Sequence, residues 1–289
     1  MAVITPAISS AFVQSVKLPA APRRTRALAD TPPVELKATD AQSLVVGSGL
    51  IVAAANVPVQ TREDLINCTL FAQLAASGTV SDPTQVSKWY DAYFRTLTAL
   101  GWAQSDTQFE EYAFSSQNAE AHKAIMKVLA VLLGPQAAVL AVVQTAIEAL
   151  QSMNENSPWI TLFDRQSKIG KSAHFQVATA QLDANGLLQI ALVAFDLKAT
   201  STLTQVLFFK FSSSSTSLKF ASGKATIYEA ALKDQREAIA ARLAAYRTAY
   251  VGQVVFPLPP SGPRGSSRGA RRPRARAVRP ANVSRLLLA

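Results

Sequence analysis

Few residues in this chain have the type and spacing to do chemistry. Val45-Val46-Gly47-Ser48-Gly49 opens like a glycine-rich dinucleotide loop. Such a loop needs a third glycine where its helix begins, so that backbone and pyrophosphate can approach. Here Val52 occupies that position, and Pro58 cuts short any helix that follows. A strand with a glycine bend is the better reading. Cys68 could act as a nucleophile if a histidine activated it, or as an acylation site tying the chain to a membrane. It lies inside an apolar helical pattern, where a cysteine behaves as a small buried hydrophobe. The two histidines, His122 and His174, cannot make a histidine-rich metal centre, and no carboxylates cluster for an oxygen-ligand site. Glu110-Glu111 and Asp183/Asp196 read as solvated and turn residues rather than acid–base pairs. The expectation is no catalytic residue, no metal and no cofactor.

The remaining chemistry is electrostatic. Residues 264–289 carry eight arginines (Arg264, Arg268, Arg271, Arg272, Arg274, Arg276, Arg279 and Arg285) and no acid. Together with the basic excess of residues 1–39 they account for the net charge of +10, leaving 16 basic against 17 acidic groups in residues 40–263. A folded basic groove is therefore not expected. Unopposed arginines neutralise phosphates on nucleic acid or acidic lipid with salt-dependent, sequence-blind affinity. No aromatic residue follows Phe256, so base stacking has no support there.

The elements that must position these groups follow from periodicity. Residues 1–39 are rich in proline and read as a disordered leader, 40–258 as one globular domain, and 259–289 as a disordered Arg/Pro-rich tail. Ser43–Ala55 reads as one buried strand, and Thr61 as the cap of a helix that ends near Gly78. Asp82-Pro83 reads as the start of the next helix. In it Val86, Trp89, Tyr90, Tyr93, Phe94, Leu97 and Leu100 form one apolar stripe, ended by Gly101.

Val128 to Ile147 is free of charge and contains Gly134-Pro135. As one continuous helix it would span about 30 Å, the thickness of a bilayer core. Broken at Gly-Pro, it becomes a hairpin of two helices within 119–153, capped by Asn118 and Gly134. The second helix keeps Gln136, Gln144, Glu148 and Gln151 on one side and apolar residues on the other, which favours a buried hairpin.

After Pro158 the period becomes two. His174–Leu182 and Leu187–Leu197 flank Asn185-Gly186, a hairpin of type I′ expectation. Thr204–Phe211 and Ser217–Phe220 follow as strands, and Glu229–Tyr250 as a long amphipathic helix ended by Gly252.

These readings give an α+β fold. Four N-terminal helices, two of them the apolar hairpin, pack on a C-terminal antiparallel meander of about four strands that a long helix closes. The first functional expectation is a non-enzymatic binding or interaction domain whose basic tail associates with anionic partners, nucleic acid or acidic lipid. The second is a membrane-active or lipid-binding protein, toxin- or virulence-factor-like, that uses the hairpin 119–153. One cysteine and no secretory signal pattern suggest a cytoplasmic protein, while the acid-free residues 1–29 are compatible with organelle targeting.

Overall fold

The structure, a computed structural model, describes residues 6–22, 34–113, 119–134, 137–153, 157–200, 203, 205–208, 210–211 and 216–254. The chain divides into two units, Met1–Phe256 and Pro257–Ala289, and the described elements belong to the first.

A mixed sheet of nine strands runs through the first unit. Its strands are β1 (Gln42–Val46), β2 (Gly49–Ala53), β3 (Trp102–Gln104), β4 (Glu110–Glu111), β6 (Lys168–Ile169), β7 (Ser172–Leu182), β8 (Leu188–Ala199), β10 (Thr216–Ile227) and β11 (Val251–Val254). The spatial order is β11-β1-β2-β7-β8-β10-β3, with β4 added to β10 and β6 to β7. A separate ribbon pairs β5 (Ala119–Glu120) with β9 (Lys210–Phe211).

The sheet is thus larger than a four-stranded meander, and it is not wholly antiparallel. Strands β2 and β7 run parallel, with Gly49 opposite Gln176 and Ala53 opposite Ala180. The long crossover that a parallel pair requires is supplied by the helices between them. Ser43–Ala55 is not one strand but a tight hairpin, because Gly47 takes a left-handed φ of 56° in the middle of the apolar run. Among the described residues of Thr204–Phe211, the strand is the two-residue β9. Its apolar side chains are satisfied differently: Val206 and Leu207 are buried, as is the preceding Leu203, while Val206 N–H donates to Asp164 Oδ1 at 3.0 Å. The turn between β7 and β8 has one left-handed residue, Gly186, and Gly186 N–H donates to Asp183 O. It is a type I turn with a glycine bulge rather than type I′.

The helices are α1 (Pro6–Ser15), α2 (Val59–Thr79), α3 (Val86–Ala99), α4 (Ala121–Leu133), α5 (Ala138–Ser152), α6 (Pro158–Ser167), α7 (Glu229–Lys233) and α8 (Arg236–Tyr250). Part of the leader read as unstructured is therefore helical, and Val13 within it is fully buried. Thr61 lies inside the first turn of α2, and Gly78 lies before its end. Asp82 caps a local turn instead of a helix: its carboxylate accepts from Thr84 N–H and from Gln85 Nε2. Helix α3 begins four residues later, and its expected stripe is buried throughout. Residues 229–250 break at Asp234-Gln235, and Gly252 lies within β11 rather than ending a helix. Asn118, Pro135 and the tail arginines lie outside the described residues.

Helices do not form one layer. Strand alternation sends His174, Gln176, Ala178 and Ala180 to one side of the sheet and Phe175 and Val177 to the other. The first side carries the core of α2, α3 and α8, with Phe71, Tyr93, Leu97, Ile239 and Leu243. The second carries the core of α4, α5 and α6, with Ile125, Leu129, Val143, Ile147 and Phe163. A sheet apolar on both faces needs such double cover.

Candidate functional site: two helical layers held in different ways

The layer of α2 and α3 is latched to the sheet by polar groups. Arg62 on α2 is only 1% exposed. Its guanidinium donates from Nε to Val57 O (3.0 Å), from Nη1 to Gln42 Oε1 (2.9 Å), and from Nη2 to Ala54 O (2.8 Å) and Ala38 O (3.2 Å). Burial lowers its pKa, and the charge of Asp40 partly offsets this. About three turns further along α2, Gln73 donates from Nε2 to Val46 O (3.0 Å) and accepts from Ser48 N–H (3.1 Å). Glycine at 47 is required by that contact, since a Cβ there would sit 2.2 Å from Gln73 Oε1. On α3, the Tyr90 hydroxyl lies 2.8 Å from Phe195 O and 3.0 Å from Phe175 O. It accepts from Gln176 Nε2 at 3.2 Å, and Gln176 Oε1 in turn accepts from Ser48 Oγ. Arg236 at the start of α8 clamps Asp64 on α2 (2.9 and 2.7 Å) and Glu229 (2.7 and 2.6 Å), and these partners raise its pKa.

Beside this network lies a cavity of ≈ 210 Å³ lined by Ser48, Gln73, Ser77, Trp89, His174 and Tyr250, among others. The His174 ring packs 4.3 Å from that of Trp89, and its Nδ1 is buried without a hydrogen-bond partner among the described residues. Burial pushes its pKa down to about 4. Asp196 stands opposite His174 across β7 and β8, 3.8 Å from Lys198 Nζ, with its carboxyl pKa raised by burial.

The layer of α4 and α5 is held in another manner. Its buried residues are Ala121, Ala124, Ile125, Val128 and Leu129 on one helix, and Val139, Leu140, Val143, Ala146, Ile147, Ala149 and Leu150 on the other. They face Leu50, Val52, Phe175, Val177, Val193 and Phe195 of the sheet. Among the described residues, one side-chain hydrogen bond joins these helices to the large sheet, from Val139 N–H to Gln181 Oε1 at 3.2 Å. Gly134, with φ of 89°, separates the helices. No helix among the described residues is long and apolar enough to cross a membrane.

The other sequence candidates do not converge. His122 lies next to Glu120, Nε2 to Oε2 3.4 Å, at the start of α4, and on the opposite side of the sheet from His174. Asp183 and Asp196 sit at opposite ends of the β7–β8 hairpin. Glu110 and Glu111 are exposed on β4, opposite Phe220 and Lys219. Among the described residues no group of three His, Cys, Asp or Glu could hold a metal. Cys68 is in the core of α2 and α3, on the far side of the sheet from the hairpin, and burial pushes its thiol up to about 12. That change alone lowers the thiolate fraction about a thousandfold. Native protein should therefore leave Cys68 unmodified by a thiol reagent such as dithionitrobenzoate, and release one equivalent only on unfolding. Fast modification of the native form would place the thiol at an opening instead.

Sequence reading missed Arg62, Gln42, Gln73, Gln176 and Tyr90 as a network. A single polar residue on a helix carries no sign of the backbone carbonyl it will meet.

No family model matches this chain, and no curated protein matches it. Some solved structures align with it at low similarity. A delta-endotoxin aligns at 13% identity and TM-score 0.37, over 72% of this chain and 91% of its own. The activated Cyt2Ba monomer from Bacillus thuringiensis subsp. israelensis aligns at 12% identity and TM-score 0.35, over 59% and 92%. The Evf virulence factor aligns at 9% identity and TM-score 0.32, over 70% and 84%. Likenesses of this size carry no functional argument.

Proposed function

We propose that the protein acts without a catalytic step at anionic membrane surfaces. In this reading the hairpin Ala121–Ser152 trades its contact with the sheet for contact with lipid. The observation that carries the reading is the unequal attachment of the two layers. Apolar contact is non-directional, so lipid can replace the sheet against α4 and α5 at the loss of one hydrogen bond to the large sheet. Removing α2 and α3 would instead strand the Arg62, Gln73 and Tyr90 partners. At 13 and 15 residues the two helices fit an interfacial position, apolar face down, rather than a span. The tail arginines Arg264 to Arg285 add electrostatic attraction, about 1 kcal/mol for each group near the surface.

Flotation with phosphatidylglycerol vesicles tests this. Binding should weaken with salt and with removal of residues 259–289, contents should leak, and residues 125–150 should change their susceptibility to protease on binding. A binding domain that used only its tail would bind with the same salt dependence but leave the hairpin's digestion unaltered. Failure to partition into either anionic or zwitterionic vesicles, at neutral and at acid pH, would end the membrane reading.

A further inference from the structure

Large apolar side chains are exposed at five described positions: Val59 (39%), Val131 (82%), Leu187 (64%), Leu188 (42%) and Tyr228 (62%). They are scattered in sequence, yet strand register brings them to one end of the sheet. Leu182 pairs with Leu188 to close the β7–β8 hairpin, which puts Leu187 and Leu188 at its tip. Ala225 pairs with Ile190 in β10, so Tyr228, just beyond the end of that strand, emerges beside the same tip. The parallel pair Ala53 and Ala180 brings the end of β2 there, and Ala54 N–H donates to Ala180 O shortly before Val59 opens α2. Val139 N–H bonds Gln181, so the α4–α5 connection lies at this end too, with Val131 in the last turn of α4.

We infer that this end of the molecule is the face that meets the membrane, with Val131, Leu187, Leu188 and Tyr228 as its first apolar contacts. The assignment rests on the membrane reading above. A lipid surface is the occupant because the residues stand on separate tips, from two hairpins and two strand–helix junctions. Register places them at one end of the sheet on separate elements, not along a single element. A bilayer interface asks only for a common level and accepts leucine, valine and tyrosine there. Several acids at this end are tied to protein groups: Asp183 turns its carboxylate to the Asn185 and Leu187 amides at 2.8 and 2.9 Å, Glu229 shares Arg236 with Asp64, and Glu35 lies 3.3 Å from Lys37, while Asp40 is exposed. Strand β11 pairs Val254 with Ser43, next to the Gln42–Ala53 pair, so the chain leaves its last described strand toward this end. The opposite end carries the Gly47 turn, the β6–β7 turn and the His174 cavity, and presents none of these five side chains.

The experiment compares the full chain with a variant carrying Val131→Ser, Leu187→Ser, Leu188→Ser and Tyr228→Ser. Each change is at an exposed position, so the melting temperature should hold. Binding to phosphatidylglycerol vesicles should fall by at least about tenfold. Two single variants locate the contact independently, since native Cys68 is buried and takes no label. Leu188→Cys carrying a polarity-sensitive fluorophore should shift to the blue on vesicle binding. Lys171→Cys, at the opposite end, should not. Full binding by the fourfold variant, or a shift at position 171 and not at 188, overturns this orientation while leaving the membrane reading intact. If the full chain binds no vesicle at all, both fall together.

Discussion

Replacing Arg62 with methionine should lower the unfolding free energy by about 3–5 kcal/mol, among the largest losses available to one substitution here. Methionine fills much of the same volume and removes the fork. Four acceptors then lose the guanidinium: Val57 O and Ala54 O, and also Ala38 O and Gln42 Oε1, which keep the Asn56 and Lys37 amides. A buried acceptor left without a partner costs about 1–3 kcal/mol, and solvent entering near Ala38 recovers part of the sum. The loss should spread beyond α2, because Gln42 also accepts from Lys37 N–H and donates to Glu35 O. That braid holds residues 35–42 at the start of β1. Arg62→Lys should recover less than half, since an ammonium cannot reach four acceptors in the plane of a guanidinium. Urea midpoints read the effect. A change below about 1 kcal/mol for the methionine variant would mean that water serves those carbonyls already.

Arg62 also marks where sequence reading stops. The stripe Val86 to Leu100 was legible because a 3.6 period and seven large side chains are a local pattern. The hairpin break at Gly134 and the β7–β8 turn were legible for the same reason: glycine announces a conformation within a few residues. The β1–β2 hairpin was not, since its turn Gly47-Ser48 lies inside one apolar run. Its partner Gln73 is helical and distant in sequence. The boundary at Val86 was missed because Asp82 uses its carboxylate on a turn, a choice that its neighbours allow equally with a helix cap. The polar latch was invisible, as three of Arg62's acceptors are backbone carbonyls with no side-chain signature. The same holds for the exposed end: Leu187 and Tyr228 become neighbours only through the register of β8 and β10.

The two layers differ in what can undo them. Apolar contact under α4 and α5 weakens only when another apolar phase competes. The contacts under α2 and α3 include a buried group whose titration is moved into the acid range, His174. Its ring is packed on Trp89 and Tyr90, at 4.3 and 6.1 Å between centroids, in the seam between α3 and β7.

The unfolding free energy should therefore fall as pH drops from about 6.5 toward 4. Burial pushes the His174 pKa down to about 4 in the folded protein, from an ordinary 6.5. Between those values the unfolded chain takes up a proton that the folded chain refuses, so protons favour unfolding. The stability is fully present above 6.5 and is lost as pH falls through the folded value, by about 3 kcal/mol at most. Asp196 across the strand acts with the opposite sign. Its folded pKa is raised, so the folded carboxyl takes its proton before the unfolded one does, and this returns part of the loss at the acid end. Lys198 and Lys219 restrain that rise. The difference between the native chain and His174→Phe isolates the imidazole, because Asp196 and every other carboxylate are common to both. Thermal melts in that window should show the native chain losing roughly 6–12 °C more than the phenylalanine variant. Parallel curves for the two proteins would show that the ring is hydrated or already charged. A steeper fall in the variant would reverse the sign: the folded imidazole would then hold its proton more tightly than the unfolded one, as pairing with Asp196 across the strands would make it do. If the native curve is the steeper, acid loosens the layer that polar groups hold, and leaves the greased layer under α4 and α5 to answer only to lipid.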